Sequence, residues 1–168
     1  MKKIIVIAVT YITITISITY ADIYQIGSTL NGNTGDSLSM VSMSGSGNGT
    51  PGQILAVGAW NWPNLSSTPQ SERQKGKVEI YKIENNFLRP FGTLYGSSGG
   101  AFFGEGLSVS GDGRLIAVGS PRSDTPFTDA GEVTVFKWNF SNSNPIWSQF
   151  GSTLYGNSSD ECFYKPKL

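Results

Sequence analysis

The sequence predicts an all-β repeat protein, and three observations carry that expectation. A short motif recurs three times within 168 residues, short β-branched and aromatic runs alternate with turn-forming segments, and 21 glycines accompany a charged content of only 14%. Soluble domains average about 25% charged residues, and glycine inside a helix is destabilising, so this composition disfavours helices and favours short strands joined by Gly-rich turns.

Residues 1–21 read as an export signal. Lys2 and Lys3 make a basic start, Ile4 to Ile18 is apolar apart from interspersed Thr and Ser, and Thr19-Tyr20-Ala21 places small residues where a signal peptidase reads them. Two other readings stay open here. One is an uncleaved anchor, because about 18 residues is near the minimum spanning length. The other is a first strand, because Ile alternates with Thr or Ser between Tyr11 and Tyr20. Cleavage after Ala21 would make Asp22 the mature N terminus; terminal sequencing of secreted material checks this, and finding Met1 retained overturns it. The expected location is secreted or at the cell surface, with a membrane involved only if the segment stays as an anchor. Cys162 is the single cysteine, so no internal disulfide can form. Four sequons suit export into a glycosylating compartment, at Asn48, Asn64, Asn139 and Asn157.

The repeat follows. Ile26-Gly27-Ser28-Thr29-Leu30-Asn31-Gly32 matches Phe91-Gly92-Thr93-Leu94-Tyr95-Gly96 and Phe150-Gly151-Ser152-Thr153-Leu154-Tyr155-Gly156, with Gly32, Gly96 and Gly156 standing 64 and then 60 residues apart. Between them, Gly35-Asp36-Ser37-Leu38-Ser39 matches Gly104-Glu105-Gly106-Leu107-Ser108, and Leu55-Ala56-Val57-Gly58-Ala59 matches Ile116-Ala117-Val118-Gly119-Ser120. Gly76-Lys77-Val78-Glu79-Ile80-Tyr81-Lys82 then matches Gly131-Glu132-Val133-Thr134-Val135-Phe136-Lys137. Insertions fall between these landmarks, as they do when strands are joined by variable loops. The units are residues 22–90, 91–149 and a third, 150–168, that begins and stops.

Each full unit divides into four short strands. In the second, Leu107 and Val109 alternate with Ser108 and Ser110, as in a strand with one buried face, whereas Leu115 to Val118 is apolar throughout and suits burial on both faces. Asp112-Gly113 provides the hairpin between them; the first unit carries a longer Gly- and Ser-rich loop there, around Gly45 to Gly52. A third strand runs from Glu132 to Trp138 and a fourth lies around Ile146 to Phe150. Four short strands per unit is the make-up of a propeller blade.

Phe103-Gly104, a short strand, the Asp-Gly turn, an apolar strand and Gly119-Ser120-Pro121 together resemble the FG-GAP repeat of integrin α-subunit propellers. Gly131-Glu132-Val133 with Trp147-Ser148-Gln149-Phe150-Gly151 and Leu154-Tyr155-Gly156 resembles the variant of secreted protist and algal repeat proteins. The likeness spans about Tyr24 to Phe163 and departs in the first unit, where Thr34-Gly35 and Gly58-Ala59-Trp60 replace the named motifs. It implies a partial β-propeller of about two blades plus the start of a third, and extracellular binding or adhesion, without naming a ligand.

The residues offer no assembled chemistry. With no His and one Cys, neither a Ser-His triad nor a zinc site can be built. Integrin-type calcium loops need several carboxylates, and here Asp112 stands alone, so no metal or cofactor is expected. Asp124 and Asp129 are the nearest carboxylate pair and read as solvated loop residues. Lys plus Arg equals Asp plus Glu at 12 each, which gives no field for nucleic acid. The candidate contact loop is Trp60-Asn61-Trp62, where exposed indoles beside an amide suit a sugar ring or a protein partner; the bland alternative is that they cover the neighbouring blade.

Two function classes follow: an extracellular protein- or glycan-binding module, and a structural surface glycoprotein with no specific ligand. Non-catalytic repeats of a larger secreted enzyme come third. The third unit halts where Gly104 would recur, at Tyr164, so the chain reads as a truncated fragment of a larger propeller or as one part of a ring closed by several chains. Its unpaired blade faces, expected to include Ile116 and Val118, would then favour self-association.

Overall fold

A computed structural model of the chain describes residues 5–10, 13–20, 22–25, 30–31, 36–45, 53–63, 65, 67–139 and 146–168, with only the backbone described for 5–25 and Asn31. These residues are all-β apart from one 3-10 turn at Gln70–Glu72. Strands β1 (Ile5–Thr10), β2 (Thr13–Tyr20), β3 (Asp22–Gln25) and β4 (Leu30–Asn31) form a small antiparallel sheet in which both β3 and β4 pair with β2. The alternation of Ile with Thr or Ser up to Tyr20 is met by β2.

Two larger antiparallel sheets follow. The first is a four-stranded meander of β5 (Leu38–Met43), β6 (Gln53–Ala59), β7 (Lys77–Glu84) and β8 (Phe87–Tyr95), in that order. The second orders β9 (Gly106–Val109), β10 (Leu115–Ser120), β11 (Glu132–Asn139) and β12 (Ile146–Gln149), with β13 (Leu154–Tyr155) also paired to β11. The fourth strand expected around Ile146 to Phe150 is β12, and β13 adds a short strand beyond it. The two matched apolar segments, Ile54 to Val57 and Leu115 to Val118, lie in the second strands of separate sheets.

The sheets pack face to face because each apolar strand offers alternate residues to each side. Ile54, Ala56, Val78, Ile80 and Leu94 of the first sheet share one buried cluster with Leu107, Val109, Ile116, Val118, Trp138 and Trp147 of the second. This corrects the expectation for Ile116 and Val118, which face the first sheet and are fully buried. A strand apolar on both sides gives no parity from which to choose the face. The opposite side of the second sheet carries Leu115, Ala117, Val133 and Val135 instead.

A second correction concerns register. Val41 pairs with Val57 and Met43 with Leu55, as Leu107 pairs with Val118 and Val109 with Ile116. The ladder therefore places Val41 and Met43, not Leu38 and Met40, at the positions of Leu107 and Val109. An irregularity between Leu38 and Met40 takes up one residue of the difference, so part of the first unit's insertion is absorbed in β5.

The joints between units repeat in hydrogen-bonding detail. Gly96 N donates to Gly76 O, Phe102 N to Gln74 O and Phe103 N to Lys75 O; the third unit repeats these as Gly156 N to Gly131 O, Cys162 N to Asp129 O and Phe163 N to Ala130 O. Phe102 and Cys162 both adopt positive φ, at 61° and 51°. The segment after Gly156 therefore sits on the second sheet as the segment after Gly96 sits on the first. Its end crosses Gly106 and Gly119, where a Cβ on either glycine would lie 1.9 Å from Tyr164 O, and Leu168 N donates to Ser108 Oγ at 3.0 Å. The beginning of the third unit thus covers part of a face that the sequence alone left bare.

Candidate functional site

The candidate loop lies between β6 and β7, and Trp60, Asn61 and Trp62 are all half-buried. The backbone fixes it at both ends: Trp62 N donates to Ala59 O at 3.3 Å and Gly76 N to Trp62 O at 2.7 Å. The Trp60 ring packs against Phe102 of the next unit with centroids 4.6 Å apart, and the Arg122 guanidinium stands 5.1 Å from the same Phe102 ring. Trp62 packs against Tyr95 at 5.1 Å, with the Lys77 ammonium 5.6 Å from its indole. The result is two half-open aromatic pairs, each joined to a cation, on one edge of the sheet pair. Tyr95 and Arg122 are exposed there.

Asn61 holds the loop together. Its Nδ2 donates to Ser37 Oγ at 3.4 Å, and its Oδ1 accepts from Gln74 Nε2 at 3.2 Å. Both ends of the amide are engaged within the fold, so Asn61 supports the indoles more than it offers itself to a ligand. Phe102, Arg122 and Tyr95 were not singled out from sequence. The only signal for Phe102 is its doublet with Phe103, of which Phe103 is buried in the inter-sheet cluster while the positive φ at Phe102 turns that ring outward to Trp60.

Beneath the loop lies a buried charge network that the sequence did not announce. Lys77 Nζ contacts Asp36 Oδ2 at 3.0 Å and Glu79 Oε1 at 2.9 Å, with the Lys77 and Asp36 side chains 7% and 4% exposed. Tyr81 OH donates to Glu79 Oε2 at 2.8 Å. Burial by itself would lower the Lys77 pKa, but hydrogen bonds and charges from Glu79 and Asp36 outweigh it and hold the ammonium above its ordinary 10.5. Burial, then the Glu79 carboxylate, pushes the Tyr81 phenol above its usual range.

The remaining candidates take local roles. Asp112 Oδ1 accepts from Ser110 Oγ at 2.7 Å and from Arg114 N at 3.0 Å, while Gly113 supplies the one positive φ of the hairpin, at 71°. The Ser110 hydroxyl, followed by the Arg114 amide, lowers the Asp112 pKa. Asp112 is therefore spent on its turn. Asp124 Oδ1 accepts from Asp129 N at 3.0 Å, shaping the loop before β11. Among the described residues no group of three or more His, Cys, Asp or Glu is placed to hold a metal. Asn139 and Asn157 are exposed, the former donating its amide to Ser148 Oγ; Asn48 and Asn64 lie outside the described residues. Cys162 is half-buried in the position Phe102 holds one unit earlier. Among the described residues no helix is long and apolar enough to cross a membrane. A separate cleft of about 460 Å³ opens between β5, β9 and the C-terminal segment, lined in part by Met40, Glu105, Leu107 and Lys165.

No protein-family model matches the chain, and no curated protein matches it.

Proposed function

We propose that the chain is a secreted or cell-surface, non-catalytic binding module built from FG-GAP-type propeller blades, and that the aromatic edge at Trp60 and Trp62 takes a glycan. The single observation that carries the ligand class is the pair of half-open aromatic contacts, Trp60 with Phe102 and Trp62 with Tyr95, each beside a cation. Sugar rings stack their C–H faces on indoles while their hydroxyls hydrogen-bond to neighbouring polar groups, and Arg122 and the Tyr95 phenol are placed for the latter. The blade reading is supported by two successive four-strand meanders that pack face to face through opposite sides of their matched strands.

Binding of the chain to a glycan array tests this reading. Trp60→Ala is expected to weaken any bound glycan about tenfold, the cost of roughly 1.4 kcal/mol for one lost aromatic contact. Asp112→Ala, in a hairpin loop away from the aromatic edge, serves as the control that leaves binding unchanged. Absence of any glycan hit, or binding indifferent to Trp60 and Trp62, sinks the proposal. A structural surface glycoprotein is the second reading, favoured by the exposed sequons at Asn139 and Asn157. It requires sugar at both sites on the secreted protein and no hit on the array.

A further inference from the structure

The open side of the second sheet duplicates the side of the first sheet that is already buried. Along the matched strands, Val133 and Val135 stand where Val78 and Ile80 stand, and Lys137 where Lys82 stands. Lys82 lies over Phe91 at 5.8 Å, and Lys137 lies over Phe150 at 5.2 Å, so the same cation–ring pair forms in both units. The outcome differs. Phe91 is half-buried with its ring 4.2 Å from that of Trp138, and Leu94 is 7% exposed, whereas Phe150 and Leu154 are 51% and 56% exposed. In the second unit Phe150 and Leu154 are presented to solvent, while Ala117 and Val133 of the same face are buried, at 1% and 5% exposed, and the C-terminal segment crosses it at Gly106 and Gly119.

The complement of that face is also present in the chain. What Phe91 and Leu94 meet is a surface of Ile116, Val118, Trp138 and Trp147. The outer side of the first sheet carries the matching positions: Leu55 and Val57 form a buried pair with Val41, Met43, Tyr81 and Leu88 packed around them. One residue from outside the two sheets rests there, Leu30 of β4. Leu30 is the residue of the recurring motif that corresponds to Leu94 and Leu154, and its strand pairs with β2 as β13 pairs with β11.

We infer that the open face of the second sheet docks a second copy of this chain, head to tail, on the outer side of that copy's first sheet, with Leu154 taking the place of Leu30. The contact repeats between chains the packing that joins the two units within one chain. The inference rests on cleavage after Ala21 for its timing: removing residues 1–21 takes away β2, the strand partner of β4, together with β1, and with it the hold on Leu30. The inter-sheet cluster lies wholly between Ile54 and Trp147, so a chain beginning at Asp22 keeps its core. A head-to-tail contact uses two different patches and so extends or closes into a ring, unlike a two-fold contact.

Sedimentation of a chain produced to begin at Asp22 provides the test, whatever terminus the exported protein bears. The chain is expected to associate in the micromolar range. Leu154→Glu and Leu88→Glu, on the two opposed faces, should each leave a folded monomer, as shown by retained β-sheet circular dichroism. An equimolar mixture of these two variants should give one-to-one heterodimers, because one intact pair of faces survives. A monomeric parent chain overturns the inference. So does association that Leu154→Glu abolishes and Leu88→Glu leaves intact, which would mean the second sheet pairs with its own copy. Sequencing the N terminus of secreted protein reports separately on cleavage: Asp22 there supports the inference for the exported chain, and Met1, which leaves Leu30 held by β2, overturns it for that chain.

Discussion

Gly58→Ala is expected to lower the melting temperature by roughly 10 °C, from a loss of about 3 kcal/mol. Gly58 is the last but one residue of the buried strand β6, and a Cβ there would stand 2.1 Å from Gly104 O and 3.0 Å from Gly104 C. The obstacle is backbone at a crossing point that cannot swing aside. Gly104 is itself held at φ +92° with its own Cβ position 2.9 Å from Lys77 O, so relief would require the start of the second unit to move off the first sheet. Gly119 is the matching residue of the second unit, where a Cβ would meet Tyr164 O at 1.9 Å. Here the obstacle belongs to the C-terminal segment, behind which no sheet packs among the described residues, and that segment can lift away. Gly119→Ala is therefore expected to cost about 1 kcal/mol or less globally and to make the chain beyond Gly156 readily clipped by protease. Thermal melts and limited proteolysis of the two variants measure the contrast. Equal melting losses, or a Gly58→Ala chain as stable as the parent, would falsify the close approach of the two units.

Much of this geometry can be anticipated from the residues, and the remainder fails for reasons that can be named. Strand positions were legible because apolar alternation in Leu107 to Val109 and the continuous run Leu115 to Val118 have only a few foldings consistent with short Gly-bounded segments. The seating of the third unit on the second sheet was not anticipated, although the spacing from Gly96 to Phe103 equals that from Gly156 to Phe163. What failed was the direction of Ile116 and Val118, since a run apolar on both sides encodes burial without encoding the partner. The shift in β5 failed because a bulge is a backbone event, and Leu38, Met40, Val41 and Met43 are all apolar enough to satisfy either register.

The aromatic edge was half legible. Two Trp residues in a loop announce a surface or a lid, but their partners Phe102 and Tyr95 lie 42 and 33 residues further on, and only the fold joins them. The charge network was concealed by the repeat itself. Matching Gly76-Lys77-Val78 to Gly131-Glu132-Val133 treats Lys77 and Glu132 as equivalent, yet they carry opposite charges and use them differently. Glu132 Oε2 accepts from Ser123 Oγ at 2.9 Å, a local loop contact, while Lys77 reaches Asp36 across the sheet. Backbone equivalence survives between the units where side-chain chemistry has diverged.

Lys77→Met is expected to destabilise the chain by about 3–5 kcal/mol at neutral pH, the cost of leaving a buried carboxylate without its counter-charge. Asp36 is the residue that loses this counter-charge, 4% exposed and 3.0 Å from the ammonium. Because the penalty belongs to the uncompensated charge, Asp36→Leu combined with Lys77→Met should recover most of it, a non-additivity that a double-mutant cycle in urea measures directly. The same network sets an alkaline limit. Both Lys77 and Tyr81 have pKa values raised in the folded chain above the ordinary 10.5 and 10.0. The unfolded chain therefore loses these two protons first as the pH climbs. Their contribution to stability is complete at neutral pH, begins to fall above about pH 10, and is gone once the folded values are passed. Urea unfolding from pH 7 to 11 should show a midpoint steady to about pH 10 and falling above it. Tyr81→Phe, which removes one of the two titrations, should make that fall shallower; a midpoint that rises above pH 10, or a fall equally steep in Tyr81→Phe, contradicts the assignment.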